Sequence, residues 1–96
     1  RSMRRGLEDY ARAGWFSPAE VQMLTTGAGR RSGRQWAAAR GPQASAAMNT
    51  FQKGAAELAQ LRQQAVDSHV QGGLSVKESE LLDRISSARR AFLGTG

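Results

Sequence analysis

Few side chains here are of a type that does covalent or metal chemistry, and they lie apart. His69 is the single histidine and there is no cysteine. A nucleophile–base pair or a metal site needs several such donors at readable spacing. His69 has only Asp67 close by, two residues away and on a different helical face. A cation at a helix C-terminus, favoured by the helix dipole, accounts for it. Glu78, Glu80 and Asp83 crowd together, and paired carboxylates do acid–base work when buried. The start of a helix is the better account of them, because that end favours acidic side chains. Glu57, opposite an apolar stripe and five residues before Arg62, reads as part of a solvated face. These residues predict no catalytic group, no metal, no cofactor and no small-molecule site.

Arginine is the type present in quantity. Residues 1–41 hold eight arginines against Glu8, Asp9 and Glu20, whereas residues 42–96 hold six basic and five acidic side chains. The formal net charge is +6, so the first part of the chain carries most of the excess. Such an excess predicts a polyanionic neighbour, either nucleic acid or an anionic lipid face. In a protein with membrane spans it marks a cytoplasmic segment. The candidate contacts are Arg4 and Arg5 near the start, with Arg1 beside them, and Arg30, Arg31 and Arg34 further on. Guanidinium groups bind phosphate in bidentate fashion, which makes the second cluster a candidate anion site. Its setting, Gly27-Ala28-Gly29-Arg30-Arg31-Ser32-Gly33-Arg34, matches neither the dinucleotide fingerprint nor the Walker loop.

The elements that must position these groups are helical. Alanine-rich composition with few β-branched residues favours helix over strand. A chain of 96 residues has room for one domain. The spacing predicts a first helix over residues 2–13, weakened at Gly6. Ser17-Pro18-Ala19-Glu20 then forms a capping box, with Phe16 and Val21 placed as a hydrophobic staple. That second helix is expected to stop near Thr26. Composition predicts a loop over residues 27–33 and a third short helix over residues 34–40 around Trp36. A long helix follows from Pro42 or Gln43 to about Ser68, with Gly54 a weak point inside it. A second capping box over Ser75-Val76-Lys77-Glu78 opens the last helix, which ends at Gly94. The expected fold is all-α: a single small bundle of about five helices over residues 1–96, closed by a C-terminal antiparallel hairpin. Its core is expected to hold Trp15, Phe16, Leu24, Trp36, Phe51, Leu58, Ile85 and Phe92. Two short helices around an arginine-rich connection also allow a helix-turn-helix, although a seven-residue connection is longer than the usual tight turn.

Gly6-Leu7-Glu8-Asp9-Tyr10 runs into Ala13-Gly14-Trp15-Phe16-Ser17-Pro18-Ala19-Glu20-Val21-Gln22-Met23-Leu24. Arg34-Gln35-Trp36-Ala37, Ala47-Met48, Phe51-Gln52, Glu57-Leu58-Ala59, Leu61-Arg62 and Glu78 through Leu82 follow in order. This series resembles the C-terminal cytoplasmic tail of actinobacterial members of the PrsW family of intramembrane proteases, over nearly the whole chain. The family's active-site glutamates and histidine lie in or near membrane segments, and none maps onto this chain. The resemblance therefore implies a non-catalytic accessory or regulatory domain of a larger membrane protease. It would sit on the cytoplasmic side of the membrane, with the parent protease, an anionic lipid surface or a protein substrate as partner. A chain opening on Arg1 rather than Met is expected to be a fragment or a processed product. The alternative expectation is a free-standing, basic helical nucleic-acid-binding protein.

Overall fold

A computed structural model describes residues 3–69 and 75–94. Five helices occupy them, with no strand among the described residues: α1 (Met3–Arg12), α2 (Pro18–Thr25), α3 (Gly27–Arg40), α4 (Pro42–Asp67) and α5 (Ser75–Leu93). The start of α2 follows from local chemistry. Ser17 Oγ accepts the Glu20 amide at 3.1 Å, and Glu20 Oε1 accepts the Ser17 amide at 3.0 Å. Pro18 fills the first helical position, where no amide hydrogen is needed. Gly41, at φ 121°, makes a corner that a side chain would strain, and Pro42 opens α4 directly behind it. The Ser75 side chain, on which the second capping box rests, lies outside the described residues, as does Arg1.

The expected loop over residues 27–33 is instead the first half of α3. Thr26 alone separates α2 from α3. Its hydroxyl donates to the Gln22 carbonyl at 3.0 Å and accepts the Gly29 amide at 2.8 Å, so one residue closes one helix and caps the next. The glycines that imply a loop serve close packing. A Cβ on Gly29 would lie 2.2 Å from the Gln22 carbonyl oxygen, and one on Gly33 would lie 2.8 Å from Met23 Cγ. Each costs helix propensity of about 1 kcal/mol relative to alanine, offset by letting α3 lie hard against α2. Gly6 on α1 and Gly54 on α4 act alike. Their Cβ atoms would fall 3.0 Å from Ala59 Cβ and 2.9 Å from Ile85 Cγ1.

Helices α4 and α5 form the antiparallel hairpin that the apolar stripes predict. Phe51 meets Phe92 edge-to-face at 5.1 Å, Gly54 faces Ile85, and Glu57 pairs with Arg84, so numbers rise on one helix as they fall on the other. Helix α1 lies along the later part of α4, with Gly6 against Ala59 and Asp9 against Arg62. Helices α2 and α3 cover the earlier part. The core holds Leu7, Phe16, Leu24, Met48, Phe51, Leu58, Leu81, Ile85 and Phe92. Two expected core members are not in it: Trp15 is 39% exposed and Trp36 43%. Phe16 takes the buried position at the start of α2, leaving Trp15 on the surface. On α3 the buried positions are Gly33 and Ala37, so Trp36, one step around, reaches Phe92 only by its edge.

Candidate anion-binding surface

Four of the predicted arginines keep their accessibility, and the fifth is partly tied down. Arg4, Arg5, Arg31 and Arg34 are exposed and Arg30 is half-buried. Arg30 Nη1 donates to the Leu24 carbonyl at 3.3 Å, across the end of α2. Arg34 Nη1 reaches Gln52 Oε1 at 3.4 Å. Gln52 Nε2 in turn donates to the backbone carbonyls of Arg30, at 3.1 Å, and Met23, at 3.4 Å. A single α4 amide thus fixes α2 and α3 and orients Arg34. Because α3 is continuous, Arg30, Arg31 and Arg34 project from one flank of a rigid helix rather than from a loop.

Arg5 belongs elsewhere, and Arg4 faces α2 rather than α3. Helix α1 meets α4 around Ala59 and Arg62, whereas α3 meets it at Gln52, seven residues earlier than Ala59. That is about two helical turns. Arg5 lies at the first of these contacts with Glu8, Asp9 and Arg62, whereas Arg4 borders Pro18, Val21 and Gln22 of α2.

The hairpin assembles a different group. The Arg84–Glu57 pair, Nη1 to Oε2 at 3.1 Å, marks a boundary across the molecule. On one side lie α2, α3, the start of α4 and the end of α5. Among the described residues this side carries seven cations, Arg30, Arg31, Arg34, Arg40, Lys53, Arg89 and Arg90, against one carboxylate, Glu20. The other side carries Arg5, Arg12, Arg62 and Lys77 against Glu8, Asp9, Asp67, Glu78, Glu80 and Asp83, and Arg4 lies between the two, beside α2. The bundle measures 43 × 26 × 19 Å and is polarised, with a strongly basic pole and a nearly balanced one. Helix α3 has four arginines and no acid, and no acid follows Asp83 in α5. The absence of acids from these stretches is readable in the sequence. Their meeting at one end is not.

The one acid of the basic pole is spent internally. Arg89 Nε donates to Glu20 Oε2 at 2.8 Å and its Nη2 to Glu20 Oε1 at 3.1 Å and the Trp15 carbonyl at 2.6 Å. Its guanidinium also lies over the rings of Phe51 and Phe16, at 5.4 and 5.9 Å. Glu20 serves both this clamp and the Ser17 capping box.

At the balanced pole Asp9 and Glu78 are also paired. Arg62 Nη2 donates to Asp9 Oδ2 at 2.6 Å, and Arg12 donates to Asp9 from the same helix. The hydrogen bond from Arg62 holds the Asp9 carboxyl below its ordinary range and raises the Arg62 guanidinium. Tyr10 donates its hydroxyl to Glu78, tying α1 to α5, and burial followed by this carboxylate pushes the phenol above its usual value. Glu57 and Glu78, read as solvated or helix-start acids, are thus links between helices. His69 is exposed and sits just past α4 in the left-handed region, at φ 54°. No cluster of three or more His, Cys, Asp or Glu that could hold a metal occurs among the described residues. No helix among them is long and apolar enough to cross a membrane.

Comparison with family profiles, with curated proteins and with solved structures finds no match. The surface itself carries the functional reading.

Proposed function

We propose that this chain is a non-catalytic accessory domain of a PrsW-like intramembrane protease, and that its basic pole docks on anionic lipid at the cytoplasmic face. The observation that carries the reading is the concentration of seven cations against one internally paired carboxylate at one end of the bundle. Each arginine near an anionic surface contributes about 1 kcal/mol, so three or four acting together give weak, salt-sensitive association. The resemblance to the PrsW tail supplies the membrane context.

A second reading, nucleic-acid binding, is favoured by one observation. Thr26 alone joins α2 to α3, so the connection is tight and the second helix is the basic one. The exposed side of α3 carries Arg31, Arg34, Gln35 and Arg40, types that can read bases, whereas Ala28, Ser32, Ala38 and Ala39 leave the rest of that face without readout groups.

Liposome co-sedimentation beside a DNA titration, both at about 0.15 M salt, separates the two. Docking predicts retention on anionic vesicles, none on neutral ones, and loss when Arg30, Arg31 and Arg34 become alanine. Indifference to both vesicles with tight binding of one DNA sequence would sink the membrane reading and install the second.

A further inference from the structure

We infer that Trp36 and Leu93 form an apolar wedge that enters the interfacial layer of an anionic bilayer when the basic pole docks. The inference rests on the membrane reading above and adds which atoms leave water. Trp36 is 43% exposed and Leu93 46%, the largest apolar side chains open to solvent at this pole besides Trp15. They lie together. The Trp36 ring meets Phe92 edge-to-face at 5.8 Å, and Leu93 is the next residue of α5. The Arg40 guanidinium carbon stands 4.9 Å from the centre of the Trp36 ring, and its Nη2 comes within 3.4 Å of where a Cβ on Gly94 would lie. Arg40 thus spans from Trp36 to the residue after Leu93. Arg90, three residues before Leu93 and so on its face, is exposed on the same helix.

Chemistry decides the occupant. Arginines flank both apolar side chains. No carboxylate lies on α3 or beyond Asp83 in α5. Cations around an indole and a leucine match a layer of anionic headgroups above acyl chains, where tryptophan sits with its apolar body in and its N–H at headgroup level. Stacking against Arg40 and packing on Phe92 hold the indole in place before contact, so little rotamer freedom is lost on docking.

The test uses the Trp15→Phe variant, in which Trp36 is the only tryptophan, with phosphatidylglycerol and phosphatidylcholine vesicles. The wedge predicts that Trp36 emission moves to shorter wavelength and is quenched by brominated acyl chains on the anionic vesicles alone. Trp36→Ser and Leu93→Ser should each weaken partitioning onto those vesicles by about tenfold, with the helical circular dichroism unchanged. Leu93→Ser keeps the test open if Trp36→Ser disturbs the fold. Undiminished anionic binding with unmoved emission and silent substitutions overturns the wedge and leaves the docking reading standing. Failure to bind either vesicle overturns both. Emission that responds to single-stranded DNA and not to vesicles would make Trp36 a base-stacking platform, and dissociation of a dimer by either substitution would assign the patch to a second copy. Each of these also overturns the wedge.

Discussion

At Gly29 a methyl group would stand 2.2 Å from the Gln22 carbonyl oxygen and 2.6 Å from Thr26 Oγ1, and the first of these belongs to the backbone. At Gly27, two residues earlier in the same helix, the nearest obstacle is the tip of Arg31 at 3.4 Å, which can move aside. The two glycines look alike in sequence and differ entirely in surroundings. Gly29→Ala is expected to lose about 1–3 kcal/mol, since overpacking against backbone cannot relax cheaply. Gly27→Ala should be neutral or stabilising by a few tenths, because alanine is the better helix former. Urea unfolding of the two variants checks this. Equal effects would mean that α3 does not press on α2 at this point. Residues 27–33 were illegible as helix for the same reason: composition registers glycine but not what stands in front of it.

Between elements, polar groups tie helices together at points where burial decides the strength. The Arg89–Glu20 clamp joins α5 to α2, with side chains only 22% and 16% exposed. The Arg84–Glu57 pair joins α5 to α4 with both side chains close to half exposed. A double-mutant cycle on Arg89 and Glu20 should give a coupling of about 1–3 kcal/mol, reinforced by the aromatic rings beneath the guanidinium. The same cycle on Arg84 and Glu57 should fall below about 1 kcal/mol, the range of solvated pairs. A coupling at Arg89 no larger than at Arg84 would show that the clamp adds nothing beyond a surface contact. Glu20 was legible as a capping residue from Ser17 three positions before it. Its second role was not, since Arg89 is 69 residues away.

Over the whole molecule, the charge separation has a consequence that needs no ligand. Seven cations at one end repel one another, and their single carboxylate is already engaged with Arg89. Salt screens this repulsion, the Debye length falling from about 30 Å at 0.01 M to about 10 Å at 0.1 M. The melting temperature is therefore expected to rise with NaCl at neutral pH. The variant with Arg30, Arg31 and Arg34 replaced by alanine should start higher and rise less. A melting temperature that falls with salt would mean that the ion pairs outweigh the repulsion, and the basic pole would lose its energetic meaning. A split along the chain puts +5 in residues 1–41 and +1 in the remainder, which is true but misplaces the excess. Arg89 and Arg90 belong with α3, while Arg5 lies on α1 among acids.

The sequence by itself determined the all-helical class, the Ser17–Glu20 cap, the span of α4 and its apolar stripe, and the hairpin with α5. All of these are set within a turn or by a repeating period of 3.6 residues, so neighbouring side chains suffice to specify them. The tertiary structure alone decided that residues 27–33 are helix, that Trp15 and Trp36 stay at the surface, and that the cations gather at one pole. Periodicity says which face of a helix is apolar, but not which neighbour covers it or how closely. Charge acts through space, so antiparallel packing of α4 on α5 creates a field that no count along the chain contains.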